Sequence, residues 1–208
     1  MDYDALHAVN DHLGGHVWLA HALAIFSDLS PFLVVAALVV AWFSVRPGSP
    51  GRLREGVLGA LAAAAIALGI NQVISYIWAR PRPSMAHPAD VHLWFTNASA
   101  DPSFPSDHSA AAFAVGFALL FVSRRWGIGM LCLAAAIAIS RVAIGLHYPG
   151  DVLAGAVVGL VAAVVVMYLA RRPLAAVTAP IARMSDAVTA PIWRRVAPAR
   201  RQMASPGA

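Results

Sequence analysis

Long apolar stretches alternate with short polar ones along most of the chain. Five are unbroken, at residues 31–45, 56–79, 110–122, 128–143 and 152–170, and a weaker one, 17–26, precedes the first. The last, VLAGAVVGLVAAVVVMYLA, carries no charge and has about the length that a ~30 Å bilayer core demands. Ala, Val and Leu dominate without strand-like alternation, so the stretches predict helices, which satisfy every backbone group internally in lipid. The expected fold is an all-α integral membrane protein, a bundle of five to six transmembrane helices. The higher number applies if 17–26 spans with its flanks, placing the N-terminus inside. The lower applies if it lies flat, placing the N-terminus outside. Gly155 and Gly159 have the small-xxx-small spacing that favours close helix packing.

Composition narrows the class. The 208 residues are 60% hydrophobic and 12% charged, which excludes an ordinary soluble domain. The net charge of +5 rests on arginine, since the chain has no lysine. The arginines form short clusters between apolar runs rather than one patch, a pattern of membrane topology and not of nucleic-acid binding. Arg46, Arg52 and Arg54 follow the first clear run, Arg124 and Arg125 the third, Arg171 and Arg172 the fifth. Alternating helices put all three clusters on one side, which the positive-inside rule makes the cytoplasmic side of the plasma membrane. Segments 80–107 and 144–151 then meet outside. Trp42, Trp78, Trp94 and Trp126 lie near run ends, as interfacial aromatics do. The single Cys132 permits no internal disulfide and reads as a small buried hydrophobe. The acidic, polar start MDYDALHAVNDHLGGH lacks the basic region of a cleavable signal, so none is expected.

The chain divides into a membrane domain, 1–172, and a tail, 173–208. In the tail AVTAPIAR (176–183) recurs as AVTAPIWR (187–194), offset by eleven residues, which keeps one helix face aligned. Pro180 and Pro191 oppose a continuous helix. Two readings stay open: two short interfacial pieces with arginine at the headgroups, or a disordered tail.

The outer segments hold the residues a greasy chain would otherwise avoid, and ionisable groups at membrane depth mark function. In SRVAIGLHYPGD, Asp151 stands four residues after His147, where its carboxylate can orient an imidazole and leave the second ring nitrogen free to attack. Taken singly, Asp151 reads equally as an N-cap of the last helix, and both roles are compatible. In FPSDHS, Ser106 or Asp107 caps a helix whose free N–H groups suit an anion, and His108 can give a proton to a leaving oxygen. In RPRP, Arg80 and Arg82 lie on the outer side against the charge trend, and arginine grips phosphate with a planar fork. Together with Arg141 these groups form a phosphoryl-transfer constellation. There is no Walker-type loop, no carboxylate cluster for Mg²⁺ and no zinc spacing, so no metal and no cofactor is expected. His87 and His92 read as loop histidines; His7, His12, His16 and His21 read as interfacial ones.

These motifs resemble those of the type-2 phosphatidic acid phosphatase superfamily of lipid phosphate phosphatases. That family carries Lys-x6-Arg-Pro, Pro-Ser-Gly-His and Ser-Arg-x5-His-x3-Asp. The third is matched by Ser140, Arg141, His147 and Asp151; the second by Pro105-Ser106-Asp107-His108, with Asp for Gly; the first only by Arg82-Pro83, with Ser75 where the family has Lys. Arg80 is the candidate replacement for that cation. The Ser-Asp-His variant and the RPRP run resemble the bacterial branch that dephosphorylates undecaprenyl diphosphate. The resemblance implies a membrane lipid phosphate substrate and a phosphohistidine on His147. It makes Asp151 the orienting group and His108 the proton donor. It places Arg82, Arg141, Arg80, Ser106, Asp107 and Ser140 around the phosphate oxygens, near the outer interface. Asp107, a carboxylate beside an anion, is expected to turn away, toward an arginine.

Overall fold

The computed structural model describes residues 2–49, 51–94 and 101–203, with side chains for all of these except 171 and 195–203. Residues 95–100 of the expected outer loop and the last residues of the tail, 204–208, lie outside the described residues. The helices are α1 (Asp2–Gly14), α2 (Val17–Phe43), α3 (Arg52–Ile77), α4 (Pro83–Ala86), α5 (Asp107–Leu120), α6 (Arg124–Ala143), α7 (Pro149–Leu169) and α8 (Arg171–Met203). Of these, α2, α3, α6 and α7 are long and apolar enough to cross a membrane.

The fifth crossing is α5, and it is short. Its 14 residues make about 21 Å at 1.5 Å per residue, against a hydrocarbon core of ~30 Å. Its N-terminus, with Asp107 and His108, lies beside the first turn of α7. The helix is central, packing on α3, α6 and α7. Small residues make that possible: Ala110, Ala114 and Ala118 of α5 are buried with Ala60, Ala63 and Ala67 of α3 and Ala162 and Ala163 of α7.

The weak run 17–26 is neither a separate crossing nor a flat helix. It is the first part of α2, which continues through Pro31. Proline has no N–H to give the carbonyl four residues back. Here Ser30 Oγ donates to that Ser27 carbonyl at 2.7 Å, so the helix carries on. The described chain thus crosses five times, and α1 lies at the same end of the bundle as the two histidine-bearing segments.

Gly155 and Gly159 bring α7 against the backbone of α5. A Cβ at Gly155 would stand 2.7 Å from the Ser106 carbonyl oxygen, and one at Gly159 2.6 Å from that of Ala110. The Ser106 N–H donates to the Asp151 carbonyl at 3.0 Å, locking the two helix starts together.

Four expectations are corrected. Cys132 is exposed on the outer face of α6, not buried, because α6 turns its small residues Ala134 and Ala138 inward instead. Trp42 is packed, only 8% exposed, with its Nε1–H donating to Ser185 Oγ, because α8 covers it. Arg54, 2% exposed, pairs with Asp186 at 2.7 Å and donates to the Trp42 and Val45 carbonyls, so it fastens α8 and does not sit among headgroups. The described part of the tail, to residue 203, forms one helix through both prolines, which were expected to oppose it. Pro180 and Pro191 lie on its exposed face, where the carbonyls they leave free, at Ala176 and Ala187, can bond to water.

The α5–α7 contact yields a paired test. Gly159→Ala forces a methyl onto backbone and is expected to cost about 1–3 kcal/mol, read as a lower thermal midpoint in detergent together with lost activity. Gly129→Ala, which meets nothing within 4 Å, should leave both unchanged. Equal behaviour of the two variants would show that the close approach does not matter.

Candidate active site

Two short connections and two helix starts build the site. The turn from α6 to α7 carries His147. It reverses through Gly145 (φ +81°), where a Cβ would stand 2.8 Å from the His92 carbonyl oxygen, so only glycine fits. The segment before α4 carries Arg82, and the start of α5 carries His108. These converge on a cavity of about 420 Å³ that is also lined by Arg141, Asp107, Gln72 and Ser75.

His147 is 2% exposed, and its bonds set its tautomer. Nδ1 lies 2.8 Å from the Ser103 carbonyl oxygen, which can only accept, so Nδ1 carries the proton. Nε2 then carries the lone pair and accepts from Arg82 Nη1 at 3.4 Å. Burial pushes the imidazole below its ordinary histidine range. Asp151 pulls the other way, and the Arg141 and Arg82 cations push down again. The outcome is a neutral ring with its lone pair facing the cavity, as a nucleophile needs.

Asp151 does not hydrogen-bond His147 directly. Its Oδ2 is 3.7 Å from Nδ1. Instead it accepts from Ser103 Oγ, from the Tyr148 N–H at 2.9 Å and from Arg80 Nη1 at 2.8 Å. The Tyr148 bond makes Asp151 the N3 partner of a capping box at the start of α7, whose N-cap is Tyr148 rather than Asp151. Orientation passes through Ser103, whose hydroxyl binds Asp151 and whose carbonyl holds the ring. No sequence pattern pointed to Ser103, because a lone serine in a Pro- and Ser-containing loop has no signature.

The remaining expected residues divide. Arg82 lines the cavity and is braced by the Asp101 and Leu146 carbonyls. Arg141 also lines it. Nη1 donates to Ser27 Oγ at 3.2 Å and Nε is buried without a partner, a donor an anion would satisfy. Ser106 Oγ is likewise buried and unpartnered. The first-turn N–H groups of α5 have no acceptor within the helix and stand beside His108. Asp107 lines the cavity and is held by amides rather than an arginine: it accepts from Asn71 Nδ2 at 2.9 Å and Gln72 Nε2 at 3.4 Å of α3. Ser140 does not line the cavity; its hydroxyl donates to the Ile137 carbonyl of its own helix at 2.7 Å.

Arg80 also departs from expectation. It does not line the cavity. Its guanidinium bridges Asp151 and Asp2, both at 2.8 Å, and lies 3.7 Å over the Tyr148 ring. Asp151 is fully buried, and its carboxylate draws the neighbouring cation to itself. Asp2 also accepts from the Gly150 N–H, so α1 is fastened to the start of α7. The position of the absent motif lysine is held by Ser75, which donates to the Phe104 carbonyl. Among the described residues no three His, Cys, Asp or Glu side chains converge as metal ligands.

A second cavity adjoins the first. It measures about 280 Å³ and is almost wholly apolar, running along Pro31, Val34, Leu38, Leu61 and Leu68 between α2 and α3. Asp107 and His108 line both cavities, so a polar pocket and an apolar groove meet at His108.

Comparison with known proteins gives the family and the fold. Residues 56–174 match the model of the PAP2 superfamily. Undecaprenyl-diphosphatase BcrC of Bacillus subtilis is 32% identical over 77% of this chain and 80% of its own. The putative undecaprenyl-diphosphatase YbjG of Escherichia coli is 32% identical over 67% of this chain and 68% of its own. In fold, the chain is similar to the crystal structure of Aquifex aeolicus LpxE (TM-score 0.64, 23% identity, 79% of this chain and 93% of that one). It is also similar to a transmembrane PAP2-type phosphatidylglycerolphosphate phosphatase from Bacillus subtilis (TM-score 0.58, 22% identity, 81% and 86%). The protein belongs to the PAP2 superfamily and is a multi-pass membrane phosphatase.

The placement of Arg80 sets a test. Arg80→Ala is expected to lower kcat about 10–100-fold, as loss of a supporting partner does, with KM little changed, and Arg80→Lys should recover part of it. A rise in KM with kcat intact would return Arg80 to substrate binding.

Proposed function

We propose that this phosphatase removes the terminal phosphate of an isoprenyl diphosphate, converting undecaprenyl diphosphate to undecaprenyl phosphate for reuse in cell-wall synthesis. The observation that carries the lipid reading is the meeting of the polar cavity and the apolar groove at His108. A diphosphate fits the first and an isoprenyl chain the second. The choice of lipid rests on the relatives named for undecaprenyl diphosphate.

In the proposed reaction His147 Nε2 attacks the terminal phosphorus and the bond to the bridging oxygen breaks. Undecaprenyl phosphate departs with a proton from His108. Arg82, Arg141 and the first turn of α5, at Ser106 to His108, hold the equatorial oxygens, where fixed positive charge acts most strongly on the transition state. His108 then takes a proton from the water that attacks the phosphohistidine. The P–N bond breaks, inorganic phosphate leaves and both histidines return to their starting state. Asp151, through Ser103, stabilises the charge that develops on His147.

The site is further proposed to face outward, with α8 on the cytoplasmic side. Exposed Arg46, Arg52, Arg124, Arg125 and Arg172 stand at the far end of the bundle, whereas Arg82 and Arg141 at the site end are buried.

Phosphate release from undecaprenyl diphosphate in detergent, with EDTA present, tests this reading. The wild type should remain active, His147→Ala should fall to background, and His108→Ala should lose about 10²–10⁴-fold. Activity that survives His147→Ala, or that EDTA abolishes, would overturn the mechanism. Preference for phosphatidic acid, phosphatidylglycerophosphate or another polyprenyl phosphate over undecaprenyl diphosphate would overturn the substrate.

A further inference from the structure

Helix α8 lies almost wholly beyond the family match, which ends at residue 174, and takes no part in the site. Its contacts begin at Leu174, packed beside Gly59 of α3, and run to Trp193, under the Arg46 guanidinium. That is about 28 Å of helix at 1.5 Å per residue. Between them Ser185 accepts from Trp42, while Asp186 pairs with Arg54 and accepts from the Gly48 N–H. All these partners belong to the end of α2, the following turn or the first turns of α3. A helix that touches only one end of the spans over that length runs across them.

Its faces are sorted. Leu174, Thr178, Ala182, Ser185, Thr189 and Trp193 form the packed stripe. Beside it Val177, Ile181, Met184, Val188 and Ile192 form a second apolar stripe that the protein leaves open, Met184 and Val188 being more than 70% exposed. The face opposite both carries Arg172, Arg183 and Arg194, spaced by eleven residues so that they stay aligned. From residue 171 onward the chain has seven arginines and a single acidic residue, Asp186, which Arg54 neutralises. The open stripe is continuous with the outer surface of α2: Ile192 and Trp193 share an apolar notch of about 380 Å³ with Phe43, and Phe43 is exposed like Val39 and Val40 below it.

We propose that α8 is an in-plane membrane helix that docks on an anionic phospholipid surface, on the face of the bilayer opposite the active site. The open stripe enters the acyl boundary and the arginines meet the phosphate headgroups. A helix with one open apolar stripe and an aligned row of arginines on the opposite face, set at the level where membrane spans end, matches such a surface in both chemistry and position. The pair of buried Arg54 with half-buried Asp186 fixes its height.

The full chain, with Cys132→Ser, is labelled with a fluorophore on single cysteines at Met184, Val188 or Arg183. It is then placed one copy per nanodisc in phosphatidylcholine with or without phosphatidylglycerol. With phosphatidylglycerol, probes at 184 and 188 should be quenched by a lipid-borne quencher and shielded from iodide, and the probe at 183 should show the reverse. Omitting phosphatidylglycerol, or introducing Arg183→Glu with Arg194→Glu, should raise the iodide-accessible fraction at 188 about fivefold per arginine engaged. Iodide access at 188 in anionic discs would overturn the proposal. So would shielding that ignores both phosphatidylglycerol and charge reversal, or shielding that appears only when two copies share a disc.

Discussion

The buried carboxylate of Asp151 is the constraint on which the site end of this protein depends. A charge at that depth in a membrane protein is costly unless every lone pair finds a donor. Meeting that demand recruits groups from across the chain. Tyr148 donates from the backbone, Ser103 from a loop with no regular structure, and Arg80 from the exit of α3. Arg80 in turn needs a second anion, which Asp2 supplies from the first helix. One group thus fixes the angle of α7, the path of the 101–106 loop, the ring of His147 and the docking of α1.

Close helix packing carries that arrangement to the second histidine. Glycines on α7 let it lie on the backbone of α5, and the Ser106 N–H bonds to the Asp151 carbonyl. His108 and His147 therefore face one cavity from helices that start side by side. Asp107 and His108, at the start of α5, line both the polar cavity and the apolar groove. The meeting of the two follows from the small-residue packing that places α5 at the centre of the bundle.

The opposite end follows a different logic. There buried Arg54 and half-buried Asp186 form a pair that holds α8 across the spans. Nothing in that pair serves phosphate chemistry. The site end uses buried charge to align reacting groups; the far end uses it to position a helix whose outer faces remain unpartnered.

Much was legible in the sequence because membrane spans and phosphate sites leave local marks. Apolar length fixes helices in lipid, arginine clusters order their ends, and the motif of Ser140, Arg141, His147 and Asp151 carried the family resemblance that implied the chemistry. What the tertiary structure alone decided was which polar group answers which charge. Arg80 and Arg82 are two residues apart and look alike in sequence, yet one braces a buried carboxylate and the other lines the cavity. Ser103, Asp2, Asn71 and Gln72 became partners only through packing, since no periodicity links residues so distant along the chain. Pro31 lies inside α2 and Pro180, which read as a break, inside α8, because whether a helix survives a proline depends on what receives the freed carbonyl. Ser30 does so at the first, and an exposed face open to water at the second. Sequence determined the elements and the reacting groups, because these follow from local residue type. The tertiary structure decided their pairing, because burial makes each charge seek whichever donor the fold brings near.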